Sequence, residues 1–484
     1  MKQVLSGIPG LDEILDGGFT RPSTVLIAGT AGAGKTTFAM QSLFNAARND
    51  EVCMYVTALS EPVAMVNNFM SQFSFYNVSL LAQGNVKYVP VGIEIINEGL
   101  DAFASFLEDE IENIKPDRIV IDPITAIDMN LDENIRRRFY YELFVRMKSW
   151  NSLVLITGEF NEENLLKSEL SYISDGIIYL SNDLKNDRRV RSLEVLKMRG
   201  QNPSTGKHTY SITEDGITVY QRVQSTPHKE YTNVRVPTGV TGLDEMCGGG
   251  LLSGTSTLIS GGSGTGKTLI GLQFLIEGAK NGEPGIIVSF EEDEGQLKAN
   301  VESIGYELGK YLESGMIRIF HTNSSELDAN AHTLQLKSMI EKMDAKRVLI
   351  DGIYGFQPAL ETTMELREHI HLLADFLKSK NVTTIFINEQ TELSGKLTIA
   401  GNGTSYVMDT VILLRYVEIS SEMRKAISVL KMRGSKHDKE IRELEIGDKG
   451  IEVKLPFSDY SGIMSGNPTK TPGEAFVEAF KKRR

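Results

Sequence analysis

The 484-residue sequence is poor in cysteine and has no long apolar run. Its two cysteines, Cys53 and Cys247, stand in unrelated contexts, which argues against a disulfide framework or a cysteine metal site and favours a reducing compartment. No apolar stretch reaches the roughly 18 residues of a membrane-spanning helix, and the opening residues lack a basic segment followed by an apolar one. We therefore expect a cytoplasmic protein that does not enter a membrane.

The sequence also has fewer basic residues than acidic ones. The chain has 51 lysines and arginines against 64 aspartates and glutamates, a formal net charge of −13. This balance argues against a surface built to hold nucleic-acid phosphates, so no nucleic-acid partner is expected. The remaining composition is that of an ordinary globular protein, and the length suggests about two to four domains.

The most informative feature is an internal repeat. Three pairs of segments recur at separations of 229 to 234 residues: GIPGLDEILDGGF at 7–19 with GVTGLDEMCGGGL at 239–251, RIVIDPITAI at 118–127 with RVLIDGIYGF at 347–356, and VLKMRG at 195–200 with the same letters at 429–434. A repeat of this length indicates a duplicated domain. We predict two homologous domains at 1–222 and 237–460, a polar linker at 223–236, and a C-terminal tail at 461–484.

Within each half, short apolar runs alternate with amphipathic helical segments. In the first half we predict strands at TVLIAG, VCMYVTA, RIVID, LVLIT and DGIIYL, with helices such as TFAMQSLFNAARN and RRRFYYELFVRMKSW between them. Strands that are apolar at nearly every position are covered on both faces, so we expect an α/β fold with a mostly parallel, doubly wound sheet and helices on both faces. Each half closes with paired strands, HTYSITEDGITV and IRELEIGDKGIEV.

Each half carries one phosphate-binding loop of the pattern G-x-x-x-x-G-K-[ST], GTAGAGKT in the first and GGSGTGKT in the second. Both follow a predicted strand and precede a predicted helix, as this mechanism requires. The residues expected to bind ATP are Gly29, Thr30, Ala31, Gly32, Ala33, Gly34, Lys35, Thr36 and Thr37, and Gly261, Gly262, Ser263, Gly264, Thr265, Gly266, Lys267, Thr268 and Leu269. Lys35 and Lys267 would reach the β- and γ-phosphates, and Thr36 and Thr268 would bind Mg²⁺.

An aspartate ends an apolar strand at the same place in each half. Asp122 closes IVID and Asp351 closes VLID. An aspartate at a strand end is often only a loop cap, but in a P-loop domain it is the position that orients the water shell of Mg²⁺. We therefore add both aspartates to the predicted ATP sites.

The halves differ after their second strand. The second half reads VSFEEDEGQL, which places Glu291 and Glu292 where hydrolysis needs a general base or a water-orienting carboxylate. The first half has Leu59 and Ser60 there, with Glu61 displaced beyond them. We predict that both loops bind ATP and that turnover lies mainly in the second half. The candidate catalytic residues are Glu291, Glu292, Lys267 and Lys35, with Glu292 also a candidate Mg²⁺ ligand.

Together these residues resemble the KaiC family, the RecA-superfamily ATPases of the cyanobacterial circadian clock and their bacterial and archaeal relatives. The resemblance covers essentially the whole chain, including GLDE before each P-loop, the FEE pair and KMRGSKHDKEIRE. It implies two tandem RecA-like P-loop NTPase domains, a double-layered homohexamer with ATP bound between subunits, and a signalling partner such as a KaiB-like protein.

The resemblance also assigns residues that reach a neighbouring subunit's nucleotide. They are Lys197, Met198 and Arg199 in the first half, and Lys431, Met432 and Arg433 in the second. The sequence shows no evident partner for these cations within the same chain. ATP held between subunits would supply the missing negative charge.

The clock proteins phosphorylate themselves in the second domain, on an adjacent serine and threonine before a strand of the type DT-IILL. GTSYVMDTVILL places Ser405 on the serine and Tyr406 on the threonine, so Ser405 is the candidate phosphorylation site. The first half has Ser171 and Tyr172 in the same place, and a pair present in both halves fits a packing role equally well.

Three functions remain open at this point. The first is a KaiC-like ATP-hydrolysing switch or timer with serine/threonine autokinase activity, in which the first P-loop is mainly structural or weakly active. The second is an ATP-dependent signalling scaffold without kinase activity. The third, a RecA-type DNA recombinase or helicase, needs basic loops, whereas EFNEENLLKSELSYIS and EQTELSGKLTIAGNGTSY are acidic or neutral. We favour the first.

Overall fold

The computed structural model of the chain describes residues 2–58, 63–92, 95, 100–125, 133–185, 188–222, 233–390, 406–419, 421–448, 450–458, 460–463 and 469–470. Leu59, Ser60, Glu61 and Ser405 lie outside the described residues. The chain divides into two compact units, Met1–Arg222 and Val223–Arg484.

The first unit contains a nine-stranded sheet. Strands β1 to β11 span Lys2–Val4, Phe19–Arg21, Ser23–Gly29, Cys53–Ala58, Val86–Val91, Arg118–Asp122, Leu153–Glu159, Gly176–Lys185, Arg188–Met198, His208–Thr213 and Gly216–Tyr220. Helices α1 to α8 span Leu11–Ile14, Lys35–Ala47, Val63–Met70, Val78–Ala82, Leu100–Ile114, Glu133–Met147, Glu162–Lys167 and Glu169–Ile173. The sheet order is β11-β10-β9-β8-β3-β7-β6-β4-β5, parallel from β8 to β5 and antiparallel from β8 to β11.

The second unit repeats this plan. Strands β12 to β24 span Arg235–Val236, Leu251–Leu252, Ser256–Gly261, Gly285–Ser289, Ile317–His321, Arg347–Asp351, Thr383–Glu389, Thr410–Ile419, Glu422–Met432, Arg442–Gly447, Gly450–Pro456, Tyr460–Ser461 and Thr469–Lys470. Helices α9 to α14 span Leu243–Met246, Lys267–Lys280, Glu294–Glu302, Leu308–Glu313, Ala329–Met343 and Thr363–Ser379, with 3₁₀ turns at Ser324–Glu326 and Ile353–Ala359. The main sheet has the order β16-β15-β17-β18-β14-β19-β20-β21-β22.

Both sheets are covered on both faces, as the apolar strands predict. Every residue of β3 is buried, and alternate side chains enter different cores: Val25 and Ile27 pack in one cluster, Leu26 and Ala28 in the other. This alternation follows from the two-residue period of a strand. The predicted fold class, two tandem RecA-like α/β domains with mostly parallel sheets, is confirmed.

The hairpin beside each P-loop strand is longer than the sequence indicates. The predicted strand DGIIYL extends to Lys185 because β9 pairs antiparallel along its whole length. The apolar pattern ends near Leu180, so this extension depends on ladder hydrogen bonds that hydrophobicity does not report. In the second unit β19 and β20 form the corresponding hairpin.

A buried arginine begins the strand that ends in each aspartate. Arg118 and Arg347 are at most 1% exposed. Arg118 donates to the carbonyls of Leu5, Ser6 and Ser42, and Arg347 donates to the carbonyls of Pro237 and Phe274. Their ion-pair partners are Glu51 and Glu283, respectively. Each guanidinium thus joins the segment that leads into its unit to the sheet and the P-loop helix.

Candidate nucleotide sites

The two P-loops have the same backbone geometry. Gly34 (φ 88°) and Gly266 (φ 102°) precede α2 and α10 in the left-handed region, which favours glycine. A Cβ on Gly34 would lie 2.6 Å from Ile212 Cδ1, a contact that the end of the Ile212 side chain could relieve, so the backbone angle is what requires glycine. No side chain in the described parts of the chain caps either helix, which leaves backbone N–H groups at each N-terminus able to bind an anion.

The P-loop lysines fold back onto their own loops. Lys35 Nζ donates to the carbonyls of Gly29 (3.0 Å) and Thr30 (2.9 Å), and Lys267 Nζ donates to that of Gly262 (2.7 Å). Burial lowers the pKa of both ammonium groups, and nearby carboxylates oppose the shift. A cation held by neutral carbonyls in a buried site is suited to receive phosphate oxygens.

Asp351 in the second unit lies beside the threonine of the P-loop. Thr268 Oγ1 is 3.3 Å from Asp351 Oδ1. The pKa of Asp351 is raised to about 7, mainly by burial and in part by the charges of Glu292 and Glu291, while the Thr268 hydrogen bond and the charge of Lys267 act in the opposite direction. A divalent cation would relieve this accumulation of negative charge, so the residues present fit Mg²⁺.

Glu292 has one satisfied and one unsatisfied carboxylate oxygen. Asn300 Nδ2 donates to Oε1 at 3.0 Å, whereas Oε2 is buried and has no hydrogen-bond partner in the described parts of the chain. Burial raises the pKa of Glu292. Asp293 and Gln296 form a capping box that begins α11 directly after the glutamate pair. Glu291 is exposed and Glu292 is half-buried. The capping box fixes the start of α11, and with it the path of the two glutamates between β15 and this helix.

The Asp122 carboxylate of the first unit has different hydrogen-bond partners from Asp351. Tyr55 donates its hydroxyl to Oδ2 at 2.9 Å, and Thr157 donates to Oδ1. Both oxygens of a buried carboxylate are therefore engaged by hydroxyl groups of the neighbouring strands β4 and β7. Within the described residues Thr36 makes no side-chain hydrogen bond to Asp122.

The second unit lacks these hydroxyl groups. Sheet register places Ile287 where the first unit has Tyr55, and Ile387 where it has Thr157. Sequence reasoning missed this difference. The available signal was a tyrosine and a threonine in otherwise apolar strands, and it acquires meaning only when the strand order is known.

The Lys-Met-Arg segment of the first unit has partners within its own chain. Lys197 Nζ donates to the carbonyls of Ser171 (2.9 Å) and Tyr172 (3.1 Å). Arg199 pairs with Asp175 at 3.2 Å and donates to the carbonyl of Tyr172 at 3.3 Å. These contacts hold both cations against the residues that end α8.

The second unit has a similar arrangement. Lys431 Nζ donates to the Met408 carbonyl (2.7 Å), and Arg433 Nη2 to the Tyr406 carbonyl (2.8 Å). A β-bulge lies next to the segment in each hairpin, and Met198 and Met432 are buried between their two cations. The expectation that the cations lack a partner in the same chain is therefore wrong. Their partners are mostly backbone carbonyls, which a sequence does not display.

The structure brings Lys267, Thr268, Asp351, Glu291 and Glu292 to one end of the second sheet. In the first unit it brings Lys35 near Asp122 and Glu159. Ser405 and Glu61 lie outside the described residues, so no geometry is given for them. Among the helices that are described, none combines the length and apolar character needed to cross a membrane.

Comparison with known proteins gives a consistent result. The model of the family described as "ATPase: KaiC" matches residues 4–224 and, separately, residues 236–456. The circadian clock oscillator protein KaiC of Acaryochloris marina is 33% identical over 479 residues, which are 97% of this chain and 91% of that protein. The proteins of the same name from Thermostichus vulcanus and Nostoc sp. PCC 7120 are 33% and 32% identical over 481 residues, 97% of this chain and 92% of each relative.

Proposed function

The chain belongs to the KaiC family of ATPases, and from this premise we propose that it binds Mg²⁺-ATP in both P-loops and hydrolyses ATP mainly in its second unit. In this proposal the protein works as a homohexameric switch or timer. The relatives named as clock oscillators motivate the word timer.

The single observation that carries the proposal is the acidic site of the second unit. Glu291, exposed at the end of β15, can accept the proton of the attacking water. Lys267 neutralises the γ-phosphate, and Glu292 retains a buried oxygen available to a water or a metal-bound water. The products are ADP and phosphate.

The proposed Mg²⁺ site depends on few protein ligands. In the described part of the chain no three histidine, cysteine or acidic side chains come together as a metal cage. Mg²⁺ is usually bound by one or two protein groups, substrate phosphates and waters. Thr268 would contribute its hydroxyl and Asp351 would orient a water, and the ion would supply charge neutralisation on the phosphate oxygens.

The first unit would bind ATP without turning it over efficiently. Its P-loop geometry and lysine match those of the second unit. Asp122, however, already accepts a hydroxyl hydrogen bond on each oxygen, and these bonds hold the carboxylate towards β4 and β7 and disperse the charge with which it would orient a magnesium-bound water. We therefore assign this site a mainly structural role.

The hexamer rests on the Lys-Met-Arg segments and on family membership. The side chains of Arg199 and Arg433 are 52% and 55% exposed, so both can exchange a carbonyl partner for a neighbour's phosphate. Sedimentation should show an assembly that depends on ATP and Mg²⁺, and a monomer at saturating ATP would contradict the proposal. A KaiB-like or other signalling protein is proposed as partner on family membership alone.

Two matched variants test the division of labour. Lys267→Ala should remove one of two nucleotides bound per chain and most ATP turnover. Lys35→Ala should also remove one nucleotide but preserve most turnover, provided sedimentation shows the same assembly. Loss of turnover only in Lys35→Ala would overturn the proposal. A chain that assembles on ATP without hydrolysing it would be the signalling scaffold instead.

A further inference from the structure

An aspartate stands at the same structural position beside each Lys-Met-Arg segment. The Asp175 carboxylate accepts from Thr24 N of the P-loop strand (3.2 Å), and the Asp409 carboxylate accepts from Ser256 N (3.0 Å). The backbone carbonyl of each aspartate accepts from the arginine N–H of the segment, at 2.9 Å in both units. The two aspartates are therefore equivalent in the fold.

Their charges are compensated differently. In the first unit the Arg199 guanidinium lies 3.2 Å from Asp175. In the second unit Lys378 Nζ lies 2.9 Å from Asp409, and the equivalent arginine, Arg433, is 3.9 Å away, beyond hydrogen-bond range. A lysine has taken the place that the arginine holds in the first unit.

Lys378 is specific to the second unit in this role. It lies near the C-terminal end of α14, with a side chain only 7% exposed, and Asp409 is 5% exposed. The register of the strands that follow α6 and α14 makes Lys148 the matching residue of the first unit, and Lys148 is exposed. A buried carboxylate needs a partner of opposite charge, and Lys378 supplies it at Asp409.

We infer that Lys378 is a positioning residue: by neutralising Asp409 it keeps Arg433 from being captured there and leaves its guanidinium able to bind ATP held by a neighbouring subunit. The inference rests on the proposed role of Arg433 between subunits. In the first unit Asp175 holds Arg199, so that arginine must break an ion pair before it can reach a phosphate.

Arg433 also contacts the residue that follows the candidate phosphorylation site. Arg433 Nη2 donates to the Tyr406 carbonyl, one residue after Ser405 in the sequence. When Arg433 turns to a phosphate it gives up this bond. Occupation of the neighbouring site would then alter how the chain next to Ser405 is held.

Steady-state ATP turnover of the full chain tests the inference. In Lys378→Met, Arg433 should close on Asp409, and KM for ATP should rise about tenfold while kcat changes less than about twofold. The double variant Lys378→Met/Asp409→Asn removes the competing carboxylate charge and should restore KM. Lys148→Met is the matched control and should leave both constants unchanged.

The outcomes separate this inference from the proposed function. If Arg433→Ala leaves KM and kcat unchanged, the role of Arg433 between subunits fails, and the inference with it. If Arg433→Ala raises KM but Lys378→Met does not, only the inference is overturned. A raised KM that persists in the double variant also overturns it, because a merely structural role of Lys378 would give that result.

A second variant keeps the test available if Lys378→Met does not fold. Asp175→Asn, at a half-buried site of the first unit, should release Arg199 and slow the loss of ATP from that unit several-fold. An unchanged release rate would contradict the inference.

Discussion

The two nucleotide sites have nearly the same P-loop geometry, but their strand-end aspartates have different hydrogen-bond partners. In each unit a glycine in the left-handed region precedes the P-loop helix, and a buried or half-buried lysine donates to the loop carbonyls. Asp122 is held by two hydroxyl groups, whereas Asp351 faces the P-loop threonine and two glutamates. If binding and turnover are divided between the units as proposed, a few side chains at strand ends would be sufficient to separate them after duplication.

The largest expected effect comes from Glu291, a carboxylate with no aligned counterpart in the sequence of the first half. Glu291→Gln should lower kcat about 10²–10⁴-fold and leave ATP affinity nearly unchanged, because the amide cannot accept the proton of the attacking water. The matched change Glu61→Gln should have little effect on ATP turnover. If Glu61→Gln removes most of the activity, the first site is the catalytic one and the comparison is reversed.

The raised pKa of Asp351 predicts a pH dependence of Mg²⁺ binding. The carboxyl is protonated below about pH 7, so apparent Mg²⁺ affinity should fall about tenfold per pH unit below 7 and level off above it. Titration of Mg²⁺ against ATP turnover measures this. Asp351→Asn should reduce the pH dependence to that of the ATP phosphates themselves, and Asp122→Asn should preserve the full dependence.

The raised pKa of Asp351 also makes the stability of the folded chain depend on pH. Because the folded chain binds this proton more tightly than the unfolded chain, the stability it contributes is present in acid and lost as the pH rises towards 7. Thermal melting without Mg²⁺ should therefore show Asp351→Asn least different from the parent chain in acid and more stable than it above pH 7. The opposite trend would show that Asp351 does not carry a raised pKa.

A smaller effect should follow from exchanging the hydroxyl groups between units. Ile387→Thr places a donor where Thr157 stands and should reduce turnover by about tenfold, because a hydroxyl hydrogen bond would turn the Asp351 carboxylate towards β18 and disperse the charge with which it orients water. The reciprocal pair Tyr55→Ile and Thr157→Ile should raise the slow turnover of a Glu291→Gln chain several-fold. No change in either direction would mean that the hydroxyl groups do not account for the difference.

The last prediction concerns phosphorylation of Ser405, which should be detected as a covalent modification and should have the smallest effect on ATP turnover. After incubation with Mg²⁺-ATP, mass spectrometry should find phosphate on Ser405 and none on Ser171, and Glu291→Gln should remove it. Ser171 is a matched comparison, since its hydroxyl donates to the Ser168 carbonyl at 2.7 Å. A hydrolytically active chain without phosphate between residues 400 and 410 would be an ATPase switch only.

The P-loop and the strand-end aspartate of both candidate sites were predictable because each is a short pattern of neighbouring residues. A glycine-rich turn, the lysine after it and an aspartate at the end of an apolar strand are short-range patterns, and their spacing alone placed Lys35, Lys267, Asp122 and Asp351. The strands predicted from apolar runs agree with β3, β4, β6 and β7 within one or two residues at most ends.

The parts that could not be predicted depend on the order of the strands. Tyr55 and Thr157 are 102 residues apart in the sequence, and they meet Asp122 because β4 and β7 flank β6. The pairing of Lys378 with Asp409 likewise joins the end of α14 to the residue before β19, which lies two strands away from β18, the strand that follows this helix. Such contacts are set by topology, which residue patterns constrain only loosely.

The buried arginines determine where the chain can be divided. Arg347 donates to the carbonyl of Pro237, and Arg118 donates to that of Leu5. A fragment that starts beyond either residue would leave a buried guanidinium with too few acceptors, a costly defect in a protein interior. Separate expression of the second unit should therefore begin upstream of Pro237, even though the repeated sequence GVTGLDE starts only at Gly239.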